Sequence, residues 1–150
     1  MNKKNLMKLA AYLGAGHLRA KFDMNSFDDG EKWDQERTTC GTVGCALGHG
    51  PYAGVRKRET EGWEEYGDRA IGLSMLSDEW DWCFSYNWAS VDGSAISAAK
   101  RIYWLIARGL PTKFAKYGPD YTVRPHRNVS LATLRAEAEA AMQPRNRKAR

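Results

Sequence analysis

No run of apolar residues in this chain approaches the roughly 20 needed to cross a bilayer as a helix, so a membrane-spanning helix is excluded. A secretory leader is not evident either. Lys3, Lys4 and Lys8 open the chain, but the stretch behind them is amphipathic, with no apolar centre and no small-residue cleavage site, so a cytoplasmic location is expected. Cysteine is scarce. Three residues, an odd count without secretory context, argue for reduced thiols rather than a disulfide framework. The chain also lacks an internal repeat and an uninterrupted basic face. Its net charge of +5 is unevenly spread: between Glu59 and Asp81 eight acids face Arg69 alone, while bases dominate from Lys100 to the end. That polarity allows an anionic partner without requiring one.

What the chain does have is an uncharged stretch from Thr39 to Gly50 that holds two of the cysteines and four glycines. Gly41, Cys45 and Gly48 share one helical face, and glycine inside a helix costs roughly 1 kcal/mol against alanine. The spacing predicts a short, buried, slim central helix, capped by Thr39 or Thr42 and closed by Gly48, Gly50 and Pro51.

Other elements follow from periodicity and caps. A first helix runs from Asn2 to Ala20, or ends near Leu13 and restarts where Gly14 and Gly16 weaken it, on a stripe of Leu6, Leu9, Ala10 and Leu13 that His17 continues. Residues 59–68 read as an irregular, solvated acidic excursion. From Ser77 to Trp88 two patterns compete. The alternation of Trp80, Trp82, Phe84, Tyr86 and Trp88 suits a strand, whereas Ser77 with Asp78 and Glu79 is a helix start. The favoured reading is a helix to about Ser85, then an extended turn carrying Trp88. The clearest helix ends at Arg108 before Gly109 and Pro111, capped by Asp92 or Ser94, with Ile96, Ala99, Ile102, Tyr103 and Ile106 inward and Lys100, Arg101, Trp104 and Arg108 off that stripe. Tyr121-Thr122-Val123 looks strand-like. A last helix spans Leu131 to Met142, capped by Ser130, with Leu134, Ala138 and Ala141 inward. The expected fold is therefore mainly α with minor β: one domain over residues 1–142, about four helices around the small central one, long aromatic-rich loops, and a basic disordered tail over 143–150.

Three chemistries are open to this sequence. Cys45 and His49 stand at i and i+4 and, with Cys40 and Cys83 or His17, could form a zinc site, but the residues between suit a packed helix better than a metal knuckle. Cys40 or Cys45 near a helix N-terminus could serve as a nucleophile with His49, His17 or His126 as base, yet no third orienting residue is assignable. The third reading needs no catalysis. Amides and the Thr42 hydroxyl at the helix start could hold a phosphate, with Arg56, Lys57 and Arg58 nearby and Trp33 or Tyr52 as a flat ring, which together would take a nucleotide-like anion.

The order of landmarks, Phe22-Asp23-Met24, Cys40-Gly41-Thr42-Val43-Gly44-Cys45-Ala46-Leu47-Gly48-His49, then Trp80-Asp81-Trp82 and Ala98-Ala99-Lys100-Arg101-Ile102, resembles a group of small phage, prophage and bacterial proteins with an FDM…CGTxxCxxGH pattern. The likeness covers roughly residues 5–111. It implies a shared fold and an accessory role, in the cytoplasm of the host cell where phage-encoded, but no catalytic residues; no cofactor is expected, with zinc as the alternative. The functional expectation is a non-enzymatic protein that binds a host component, a defence protein or a nucleotide-type signal, with Trp33, Trp63 and Trp88 as surface aromatics. The alternatives are a small cysteine-dependent hydrolase or transferase, and a nucleic-acid-associated protein working through its basic C-terminal region.

Overall fold

The computed structural model describes residues 1–19, 22, 24 and 45–145. Thr39, Cys40, Gly41, Thr42 and Gly44, together with Trp33 and residues 146–150, lie outside the described residues. The described chain is mainly helical, as expected. The first helix, α1 (Lys3–Gly14), stops well short of Ala20, because Gly16 takes a left-handed turn (φ +76°). Its inward stripe of Leu6, Leu9, Ala10 and Leu13 is buried, but His17 falls beyond the helix end and stands exposed, not on the stripe.

The acidic excursion is in fact ordered as α2 (Trp63–Tyr66) running into a π-helical turn, Gly67–Ile71. Buried Tyr66 donates its hydroxyl to the Val55 carbonyl at 2.6 Å. Glu61 is nearly buried and accepts from Arg69 Nε (2.8 Å) and from the Arg58 amide (2.7 Å). The bonded guanidinium of Arg69 outweighs burial and holds the Glu61 carboxyl down at about 2. Charge density alone suggested a solvated loop; pairing between residues eight apart made it structure instead.

The aromatic stretch resolves in favour of the helix. Ser77 accepts from the Trp80 amide (3.2 Å) and opens α3 (Asp78–Phe84). Trp80 and Phe84 meet edge to face one turn apart, at 5.1 Å. The expected extended turn is instead a 3₁₀ turn, Tyr86–Trp88, that leads straight into α4 (Ala89–Asp92). Trp88 is no surface ring: it is fully buried, and its indole donates to the Asp81 carbonyl at 2.9 Å. Trp63 is half-buried.

Among the described residues the central element is α5 (Ala95–Arg108). Ser94 caps it through the Ser97 amide (3.1 Å), and Gly109 (φ +75°) ends it. It packs against α1, α3, the 3₁₀ turn Pro125–Asn128 and the last helix, α6 (Leu131–Met142), itself capped by Ser130. Ala99, Ile102, Tyr103 and Ile106 point inward as expected, but Ile96 is 48% exposed. At about 100° per residue, Ile96 sits just past the edge of the face centred on Ile102. Arg101, placed off the stripe by its charge, is completely buried. On α6, Leu134 and Ala138 are buried while Ala141 is exposed, a small methyl that loses little by facing water. Tyr121-Thr122-Val123 forms no strand: the Thr122 amide goes to the Asp120 carboxylate (3.0 Å) and the Val123 amide to the Asp120 carbonyl (3.1 Å), a side-chain turn in place of a ladder.

Of the glycine-rich stretch, the described part is a buried 3₁₀ turn, Leu47–His49, packed on α1, rather than an α-helix. The slimness expected of it is real at Gly50. A methyl group there would collide with the Tyr66 hydroxyl. Gly50→Ala should therefore displace Tyr66 from its bond to Val55 and cost about 1–3 kcal/mol of folding stability. Denaturant unfolding measures this, and an unchanged midpoint would show that Tyr66 moves aside freely.

Candidate anion-binding cleft

The residues singled out by sequence do not assemble into one site among the described residues. His49 is buried and ringed by Phe22 (5.5 Å), Tyr12 (6.0 Å) and Tyr52 (6.1 Å). Tyr52 itself is 45% exposed. Arg56 and Arg58 have exposed side chains, and their backbone is engaged: the Arg56 carbonyl accepts from Arg69 (2.9 Å) and the Arg58 amide serves Glu61. Cys45 is disulfide-bonded, which corrects the expectation of reduced thiols for this residue; an odd cysteine count still leaves room for one bond. In that state its sulfur offers neither a thiolate nucleophile nor a metal ligand. Cys83 is free and fully buried, and burial pushes its thiol up to about 12. Among the described residues no group of three or more histidine, cysteine or carboxylate side chains is placed to share a metal.

A different set of residues does converge. Past Gly109 the chain doubles back over the end of α5, with the Phe114 amide bonded to the Pro111 carbonyl (3.0 Å) and the Asp120 amide to the Phe114 carbonyl (2.9 Å). The 3₁₀ turn Pro125–Asn128 then docks through His126. Its Nε2 bonds the Asp92 carboxylate at the end of α4, and Arg101 Nη1 donates to the same residue's carbonyl (3.0 Å) and carboxylate (3.3 Å). The guanidinium of Arg101 lies 4.4 Å from the centre of the Trp88 ring. Trp82 and Trp88 both meet the His126 ring edge-on, at 5.2 and 5.8 Å, and Phe114 and Tyr121 complete the cluster.

Because His126 is drawn inward, its neighbours Arg124 and Arg127 line the surface. Arg124 is steadied by donating to the Val91 carbonyl (3.0 Å). With Lys113, Thr122 and Asn128 they border a recess of about 670 Å³. Lys113, Val123 and Pro125 also form one wall of an adjoining recess of about 470 Å³, lined otherwise by Trp104, Arg108, Leu110, Pro111 and Thr112. No carboxylate belongs to either lining.

Two acids of this half of the chain are paired with arginines, and a third, Asp120, is bonded to Thr122 at the cleft rim. Glu137 on α6 accepts twice from Arg108, at 2.8 Å each, Glu139 takes Arg135 (2.8 Å), and Asp120 accepts from Thr122. The bonded guanidinium of Arg108 holds the Glu137 carboxyl below its ordinary range. Lys113, Arg124 and Arg127 thus have no carboxylate partner among the described residues. No protein-family model matches the chain, and neither the curated proteins nor the solved structures include a significant match to it. The cleft has to be interpreted from its own geometry. Sequence reasoning noted the basic C-terminal half but not these side chains as a set, and the only local signal was the density of Lys and Arg there.

The buried anchor of this cleft is acid-sensitive. Burial, helped by the Arg101 charge, holds His126 below the usual imidazole range despite its bond to Asp92. A carboxylate only accepts, so the neutral ring presents its N–H from Nε2. Burial would raise Asp92, but its bonds from His126 and Ser97 and the Arg101 charge prevail and bring it to about 2. Both folded values lie below the unfolded ones, so each group contributes stability that is complete above its unfolded pKa and lost as pH falls toward its folded one. For His126 the loss begins at about pH 6.5 and for Asp92 at about pH 4. His126→Gln, which keeps a donor for Asp92, should flatten the decline in stability between neutral and mildly acidic pH. Urea unfolding at a series of pH values measures it; identical slopes for both proteins would contradict the assignment.

Proposed function

We propose that this chain is a non-enzymatic binding protein whose working surface is the basic cleft, and that its partner presents phosphate groups there. The observation that carries the reading is the convergence of Lys113, Arg124 and Arg127 on one recess with no carboxylate in its lining. Cations left unneutralised in a concave, partly apolar wall raise the local concentration of anions. Two of these side chains are arginines, whose planar forks suit phosphate oxygens, and the Asn128 side-chain amide adds a neutral donor.

The resemblance to small phage, prophage and bacterial proteins leads us to place the partner among host components, as an accessory protein requires. A phosphate-bearing signal or nucleic acid fits this cleft better than an uncharged protein face does. Of the cysteine-dependent alternative, Cys45 is in a disulfide and has less support as the nucleophile, and Cys40 lies outside the described residues.

Calorimetric titration with inorganic tripolyphosphate tests the reading. Binding is expected at low salt and should weaken steeply as salt rises. Lys113→Gln and Arg127→Gln, both at exposed positions, should each lower the affinity about tenfold without altering the helical circular dichroism. Affinity unmoved in both variants would show that the cleft is not the site.

A further inference from the structure

We propose that the ligand of the cleft is a nucleotide with an unpaired base, its ring system against the Trp104–Arg108 stack and its phosphate among Lys113, Arg124 and Arg127. This rests on the anion-binding reading above and adds the identity of the ligand.

The two recesses differ in chemistry and share a wall. One is basic. The other is walled by Trp104, Leu110, Pro111 and Val123, with Arg108 as its only cation besides the shared Lys113. A simple polyanion would fill the first and leave the apolar walls of the second wet, so the pair suits a ligand with a flat, weakly polar part bonded to an anionic one.

The second recess also holds a preformed plane. The Arg108 guanidinium lies 4.3 Å from the centre of the Trp104 ring and is clamped there by both oxygens of Glu137, each at 2.8 Å. A guanidinium already fixed in place loses little side-chain freedom when something stacks on it. Aromatic rings and arginine planes are the surfaces on which unpaired bases stack, with little regard to sequence. Trp80, Trp82 and Trp88 are spent in the core, whereas Trp104 is half-exposed at the rim of this recess. A recess of about 470 Å³ is also of a size that takes a small organic group.

Two matched pairs of ligands test the proposal on the full chain. Adenosine triphosphate and inorganic tripolyphosphate carry the same phosphate chain, and only the first has a base. A short single-stranded oligonucleotide and its abasic counterpart form the second pair. The base-bearing member of at least one pair should bind about tenfold tighter than its partner, and the pair that shows it identifies a free nucleotide or a strand as the source. Arg108→Lys, which keeps the charge and removes the plane, and Trp104→Leu should bring that ratio close to one while leaving tripolyphosphate affinity within about twofold for Arg108→Lys. Equal affinities within both pairs would overturn the nucleotide assignment and leave the phosphate reading standing. Absence of binding by all four ligands would overturn both.

Discussion

Arg101 sits at the middle of the principal helix with no contact to water, and the rest of the C-terminal half is arranged around that fact. A guanidinium in such a place is tolerated only where an opposite charge and hydrogen bonds replace its hydration. Asp92 supplies the charge and two acceptors, and the face of Trp88 covers the cation from another side. Burial lowers the Arg101 pKa to about 10, so the side chain stays protonated at neutral pH. The Asp92 carboxylate is shared with His126, which means that one ion pair couples α4, α5 and the 3₁₀ turn at Pro125–Asn128. Loss of either charge would strand the other in an apolar cluster, which is how the arrangement enforces a single docking geometry.

The surface consequence follows from alternation along a short turn. With His126 held inside, Arg124 and Arg127 have only the outside to occupy, and Lys113 is brought beside them by the loop that leaves α5. Core packing and the display of surface charge therefore have a common origin here: the buried charge that organises the core also aims the exposed ones. The same economy shows in Glu137 and Glu139, which are tied to Arg108 and Arg135, while Lys113, Arg124 and Arg127 have no carboxylate within ion-pair distance among the described residues.

Legibility in the sequence depended on the range of the interaction. Ser77, Ser94 and Ser130 each satisfy an amide three residues on, and each marked its helix correctly. Gly109 stopped α5 where expected because a positive φ is a local demand. Glu61 and Arg69 are visible in the sequence as charges but their mutual pairing is not, so the ordered α2 reads there as a loop. Trp88 looked like a surface ring because nothing near it in sequence announced Arg101, Phe114 and His126 as its neighbours. The cleft was illegible for the same reason: its residues are spread from Trp104 to Asn128 and meet only after the chain folds back.

By itself the sequence determined the mainly helical class, the ends of α5 and α6, and the greater part of the inward stripes of α1, α5 and α6, with His17, Ile96, Arg101 and Ala141 the exceptions, since those depend on caps and periodicity acting within a turn or two of the chain. Only the tertiary structure decided that α5 is the centre of the described residues, that Arg101 is buried, and that three cations with no carboxylate partner among the described residues share a recess. Those outcomes turn on which distant groups come within hydrogen-bonding reach, because a charge is buried or left in water according to the partners folding brings to it.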